Sequence, residues 1–281
     1  RSSDLVTIGM LMATFIVSLM TLFSEEDFLS WGWRIPFLLS SVLVILGLWI
    51  RKDIDETPDF QKVKKSGQVA KAPLRDTIKH HWREVLIAAG LKVVETAPFY
   101  IFSTFVVSYA TTTLTYQKSQ ALEAVTLGAL VATIMIPLMG LLSDRVGRQR
   151  MYAVSVFVLG LFIVPWFMLL NTGTTWGIVL ATVIAFGVLW APVTAVLGTL
   201  CSEIFSANVR YTGITLGYQL GAALAGGTAP LIATGLLAKY DGDWVPVAWY
   251  LGVTVAISLI AIFCASRINR ERHLQAQPEQ R

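Results

Sequence analysis

The sequence predicts an all-α membrane protein, and three observations carry that prediction. Hydrophobic residues make up 55% of the 281-residue chain and charged residues only 14%, against roughly a quarter charged in soluble domains. Continuous apolar runs of about 20 residues recur, the length a helix needs to cross the hydrocarbon core. Lys and Arg gather in alternate connections between those runs, as membrane insertion requires of cytoplasmic loops. A β-barrel would instead show alternating segments of roughly ten residues.

The spans are expected at 5–23, 33–50, 85–110, 120–142, 151–170, 175–200, 212–237 and 246–266. Residues 51–83 hold nine Lys and Arg, residues 145–150 three, and the tail from Arg267 four, which places these connections in the cytoplasm. The alternate connections are poor in Lys and Arg: 24–31 carries Glu25, Glu26 and Asp27, 111–119 only Lys118, 171–174 nothing, and 238–245 one Lys beside two Asp. An even span count then puts both termini in the cytoplasm. Anionic headgroups suit the basic stretch, and this distribution gives no reason to expect a nucleic-acid partner for the net charge of +4. Cys201 and Cys264 lie at or near span ends without metal-ligand spacing, so both read as structural. A secretory signal would need a basic start, a short apolar core and a small-residue cleavage site; the given sequence opens instead on Arg1-Ser-Ser-Asp, so no such signal is expected in it.

The only long polar connection, with Pro and Gly punctuation, divides the chain. Residues 1–51 hold two helices of one bundle, 52–83 a cytoplasmic linker, 84–267 a six-helix bundle, and 268–281 a cytoplasmic tail. A weak repeat supports the division. Arg1 precedes the Trp33 of "WRIPF" by 32 residues, and Arg210 precedes the Trp244 of "WVP" by 34. If the first two spans correspond to the last two, the repeating unit has six helices, and about four helices are expected before Arg1.

Residues 140–150 read "GLLSDRVGRQR". Gly140 allows the fourth span close approach to a neighbour, Asp144 ends that span, and Gly147 permits a turn through positive φ. Arg145, Arg148 and Arg150 hold the loop on the cytoplasmic side. A topology marker needs the arginines but not the aspartate and both glycines. This stretch resembles the loop signature of the major facilitator superfamily, Gly-x-x-x-Asp-Arg-x-Gly-Arg-x-Arg or Lys, which members carry after helices two and eight. The resemblance implies the major facilitator fold, with the eight visible helices corresponding to helices 5–12 of twelve. It also implies a cytoplasmic gate formed by Gly140, Asp144, Arg145, Gly147 and Arg148.

"SEIFSANVRYTG", residues 202–213, is similar to the family pattern Glu-x-Phe-Pro-x-x-x-Arg-x-x-Gly through Glu203, Phe205, Arg210 and Gly213, with Ser206 in place of Pro. A Glu and an Arg at two helix ends would pair and unpair as bundles rock, which adds Glu203 and Arg210 to the gate. The alternative is a surface ion pair worth under about 1 kcal/mol. "GWRIPFLLS" from Gly32 and "ETPDF" from Glu56 resemble the metabolite:proton symporter branch. That branch includes shikimate, α-ketoglutarate, citrate and proline/betaine transporters, which implies a small organic acid or zwitterion and protons as partners.

Charge inside a span costs several kcal/mol unless paired or in a watery cavity. In "AAGLKVVETAPFYIF" of the third span, Lys92 and Glu95 share a helical face three residues apart, with Phe99 and Phe102 continuing along it toward a cavity. The functional reading makes Glu95 a protonatable group coupled to Lys92; the alternative is a structural ion pair. The branch has Arg where Lys92 stands, and Lys does not clamp a carboxylate bidentately. Pro98 removes a backbone donor and favours a kink. Trp190, in "LWAPVTA", reads either as a cavity wall or as a lipid-facing ring. Gly213, Gly217 and Gly221 form a stripe for close packing, and Tyr218 and Gln219 beside it would hydrogen-bond substrate or a neighbouring helix. Arg34 reads as an interface anchor.

An intramembrane enzyme would need a nucleophile, base or metal set within the spans. His80, His81 and His273 all lie in the expected cytoplasmic segments, so no catalytic residue, metal ligand or cofactor is expected. A membrane sensor would add a long output domain, and only fifteen residues follow Ser266. A sugar porter shares the loop signature and is the alternative within transporters. The sequence thus predicts a monomeric, proton-coupled symporter of the bacterial inner membrane.

Overall fold

The computed structural model describes residues 28–32, 34–52, 73–205 and 209–276. They fall in two compact units, one within Leu5–Val69 and one within Ala70–Arg281. In the first, a π-helical turn over Phe28–Gly32 precedes helix α1 (Arg34–Lys52), which covers the second expected span. The Arg34 guanidinium donates to the Ser30 carbonyl at 2.6 Å. The expected span at 5–23 lies outside the described residues, as do residues 53–72 of the linker.

The second unit opens with the short helix α2 (Pro73–His80), so the last part of the expected linker is helical. Proline suits its first turn, where an N–H has no intrahelical acceptor. Six long helices follow: α3 (Trp82–Thr112), α4 (Lys118–Val146), α5 (Arg148–Leu170), α6 (Thr175–Ile204), α7 (Arg210–Lys239) and α8 (Val245–Ala276). All six are long and apolar enough to cross a membrane, and they coincide with the last six expected spans.

Two of these helices form the interior. The most apolar stretch of α3 is 56% buried and that of α6 is 61% buried, against 28–39% in the other four. Helix α3 packs on α7, α8 and α6, while α6 packs on α4 and α5. The outer helices turn residues such as Leu141, Val154, Leu161, Leu231 and Trp249 outward, the surface expected of helices solvated by hydrocarbon. A polar side chain on the buried faces of α3 or α6 therefore meets protein, not lipid.

Both interior helices carry π-helical stretches, Ile101–Phe105 in α3 and Val183–Leu189 in α6. Such stretches add a residue to a turn and concentrate at functional sites. In α3 the stretch begins three residues after Pro98, which has no N–H to offer the preceding turn.

The glycine stripe of α7 sets its distance from α3. A Cβ at Gly217 would fall 2.5 Å from the Ala88 Cβ, and one at Gly221 would fall 2.6 Å from the Ala89 carbonyl oxygen and 2.7 Å from the Lys92 Cβ. Only hydrogen fits, so the backbones meet. Gly213 has a different role, seated under the Phe205 ring, where a Cβ would lie 2.3 Å from a ring carbon. Gly140 departs from expectation: a Cβ there would meet nothing within 4 Å among the described residues. It borders open cavity space, not a neighbouring backbone.

Candidate functional site

The centre of the site is one turn of α3. Lys92 and Glu95 project from the same face, as their spacing requires, and the Lys92 ammonium donates to Glu95 Oε2. Their side chains are only 17% and 14% exposed, so each charge depends on its neighbours for solvation. The Thr96 hydroxyl donates to Glu95 Oε2 at 2.9 Å, and the Thr194 hydroxyl of α6 donates to Oε1 at 3.2 Å. Both carboxylate oxygens are thus satisfied from two helices.

Trp190 of α6 is 1% exposed and its indole N–H donates to the Glu95 carbonyl at 2.7 Å. It is neither a lipid-facing ring nor an open cavity wall. It braces the turn that carries the carboxylate. Tyr218 of α7 is also drawn in, with the Lys92 ammonium 4.9 Å above its ring centroid, a cation–π contact that the glycine stripe makes sterically accessible. Gln219, one residue on, is exposed and makes none of these contacts.

Phe99 continues the face, with ring centroids 5.3 Å from Trp190 and 5.7 Å from Phe186. Phe102 does not. It is buried against Trp166 of α5 at 5.0 Å. The π-helical stretch from Ile101 shifts the register after Pro98, so the 3.6-residue extrapolation that grouped Phe99 with Phe102 fails there.

A cavity of about 820 Å³ lies between α4, α6 and α7. Pro137, Gly140, Asp144 and Arg148 line one part, and Gly198, Thr199 and Tyr218 another. Lys92 and Glu95 do not line it directly; Tyr218 touches both the cavity and the ammonium. The pair therefore sits one side chain behind the wall.

The loop between α4 and α5 supplies a second charged group. Gly147 has φ +96°, a region that only glycine enters without strain, and it ends one helix as it starts the next. Arg148 donates from Nη2 to Asp144 at 3.0 Å and from Nη1 to Glu203 at 2.6 Å. One guanidinium so ties the end of α4, the start of α5 and the end of α6. Arg145 is exposed outside this cluster. Arg210 does not reach Glu203; its Nε donates to the Phe205 carbonyl at 3.4 Å. In this structure Glu203 pairs instead with Arg148, whose planar fork faces two carboxylates at once.

The partners of Glu95 that sequence reasoning missed are neutral hydroxyls, those of Thr96 and Thr194. The available signal was polarity at membrane depth, where hydroxyls need partners. Thr194 stands one turn after Trp190 and so shares its face.

The sequence profile of the Major Facilitator Superfamily matches residues 5–226 and 99–281. Among curated proteins, the chain is 32% identical to the shikimate transporter of Escherichia coli K12 over 87% of its own length and 56% of that protein's. It is 30% identical to the glycine betaine/proline/ectoine/pipecolic acid transporter OusA of Dickeya dadantii over 91% of its length and 52% of the relative's. The inner membrane metabolite transport protein YhjE of Escherichia coli K12 is 31% identical over 86% and 55%. The chain spans about half the length of these relatives. No solved structure matches it.

Proposed function

Because the chain belongs to the Major Facilitator Superfamily, and is a multi-pass membrane protein with six helices able to span the bilayer among its described residues, we propose that it acts in proton-coupled symport of a small organic acid or zwitterionic metabolite. The observation that carries this reading is the Lys92–Glu95 pair, an ammonium and a carboxylate held largely buried on one of the two interior helices. Intramembrane charge is costly and marks ion and substrate pathways. The relatives named as transporters of shikimate and of glycine betaine and proline agree in substrate chemistry.

In this reading, protonation of Glu95 ends its charge interaction with Lys92 and leaves the ammonium for an anionic group of the substrate. The hydroxyls of Thr96 and Thr194 serve both states, since each rotates between donating to a carboxylate and accepting from a carboxylic acid. Tyr218 bounds the cavity through which the substrate arrives. Arg148, with Asp144 and Glu203, is the cytoplasmic gate, closing one access state by tying three helix ends. Alternating access then proceeds by rocking of two half-bundles about a midplane site, in a monomer with both termini in the cytoplasm.

Uptake by the full-length protein in proteoliposomes tests the reading directly, with an imposed proton gradient and a panel of organic acids, betaines and sugars. Gradient-driven accumulation of a carboxylate compound is expected, together with loss of the gradient's effect in Glu95→Gln. Uptake indifferent to the gradient, or full coupling in Glu95→Gln, overturns the role given to Glu95.

A further inference from the structure

The turn of α3 that bears the ion pair is gripped from behind as well as from the cavity side. Ser258 of α8 is fully buried and lies across one backbone rung: its hydroxyl accepts from the Val94 N–H at 3.1 Å and donates to the Gly90 carbonyl at 2.5 Å. Gly90 and Val94 are four apart, the two ends of a helical hydrogen bond. A side chain placed there loosens the ladder locally. The contact depends on Gly90, where a Cβ would fall 2.9 Å from the Ala261 Cβ.

The next rung is held by another helix. Tyr152 of α5 is fully buried, and its hydroxyl donates to the Leu91 carbonyl at 2.6 Å. In a regular helix that carbonyl is the acceptor for the Glu95 N–H. The two hydroxyls therefore hold the rungs that fix Lys92 and Glu95, while Trp190 holds the Glu95 carbonyl. Tyr152 also stands one helical turn after Arg148 on the same helix.

We infer that Ser258 and Tyr152 are positioning residues for the Lys92–Glu95 pair, and that Tyr152 links the pair to the helix end held by Arg148. When the contacts of Arg148 with Asp144 and Glu203 break, α5 shifts, and Tyr152 carries the shift to the Leu91 carbonyl and so to the turn below Glu95. The titratable groups around Glu95 are Lys92 on α3 itself, Tyr152 on α5, Cys201 on α6 and Tyr218 on α7; α8 contributes the neutral Ser258. The inference rests on the proposed reading of Glu95 as a titrating group.

The test is an infrared pH titration of the full-length protein in proteoliposomes, with the Glu95 carboxyl band assigned by its loss in Glu95→Gln. Glu203→Gln removes one contact of Arg148 and is expected to move the Glu95 midpoint by about one pH unit, tenfold in proton affinity. In a Tyr152→Phe background, which keeps the ring and deletes the hydroxyl, that displacement is expected to fall by at least half. An equal displacement in both backgrounds, or none in the parent, overturns the link. Ser258→Ala is the independent arm and is expected to move the midpoint without any change at Arg148; an unmoved midpoint in a folded Ser258→Ala protein removes Ser258 from the role. Failure of the transport reading shows separately, as gradient-independent uptake with the titration linkage intact.

Discussion

Replacing Lys92 with methionine removes the ammonium while keeping most of the side chain's length and apolar volume. Glu95 then retains the hydroxyls of Thr96 and Thr194 but loses the one countercharge in contact with it among the described residues. Removing one partner of a buried pair costs about 3–5 kcal/mol, and the remaining exposure of these side chains places this case near or below the lower end, at about 2–3 kcal/mol. The double variant Lys92→Met with Glu95→Gln removes both charges. It is expected to recover to within about 1 kcal/mol of the parent, since a matched neutral pair avoids the uncompensated charge. Denaturation of the solubilised full-length protein at two pH values reads all three forms. If the single and double variants lose the same stability at both pH values, the loss is one of packing, and the electrostatic account of this turn is wrong.

Other substitutions test the remaining geometry. Gly221→Val places carbon where Ala89 and Lys92 already stand, and it is expected to lower stability by at least about 1–3 kcal/mol; Gly227→Ala, with nothing within 4 Å of its Cβ, serves as the neutral comparison in the same melt. Gly147→Ala forces a Cβ onto φ +96° and is expected to cost about 1–2 kcal/mol, whereas Gly140→Ala, facing open space, leaves the melt unchanged. Thr194→Val deletes the donor to Glu95 Oε1 and is expected to cost about 1–2 kcal/mol, with larger effects on proton-driven uptake than on stability. Arg148→Lys keeps charge but loses the fork across Asp144 and Glu203, so cysteine-accessibility labelling is expected to show a changed balance of access states at an unchanged melting temperature.

The spans and their order were legible because hydrocarbon leaves a backbone few options, and all six that fall in the second unit coincide with expectation. The partnership of Lys92 with Glu95 was equally legible, since i and i+3 meet on any helix. What periodicity could not supply was anything beyond a break in it. Phe102 turns away because the π-helical stretch resets the register, and no spacing in the sequence announces that. Trp190 was ambiguous because an indole in a span reads the same whether it faces lipid, a cavity or a backbone carbonyl. Glu203 was identified as a charged helix end, but the choice of Arg148 over Arg210 as its partner depends on how α5 and α6 pack. That packing is set by many apolar contacts, none with its own sequence signature.

The two charge groups also differ in what they cost to change. Asp144 stands in the last turn of α4 and Arg148 in the first turn of α5, so each opposes the dipole of its own helix. Neither is placed for helix stability; only their meeting offsets the mismatch. The cluster, which also holds Glu203 in the last turn of α6, is one-third or more exposed, where an ion pair is worth about 0–1 kcal/mol, close to the cost of the dipole mismatches at the three helix ends. It is therefore near balance, as the proposed gate role requires. The Lys92–Glu95 pair is the opposite case, because separating its charges inside the bundle is expensive. In the proposed transport cycle, a bundle that carries both has one contact suited to moving helices and another suited to holding charge inside the bundle.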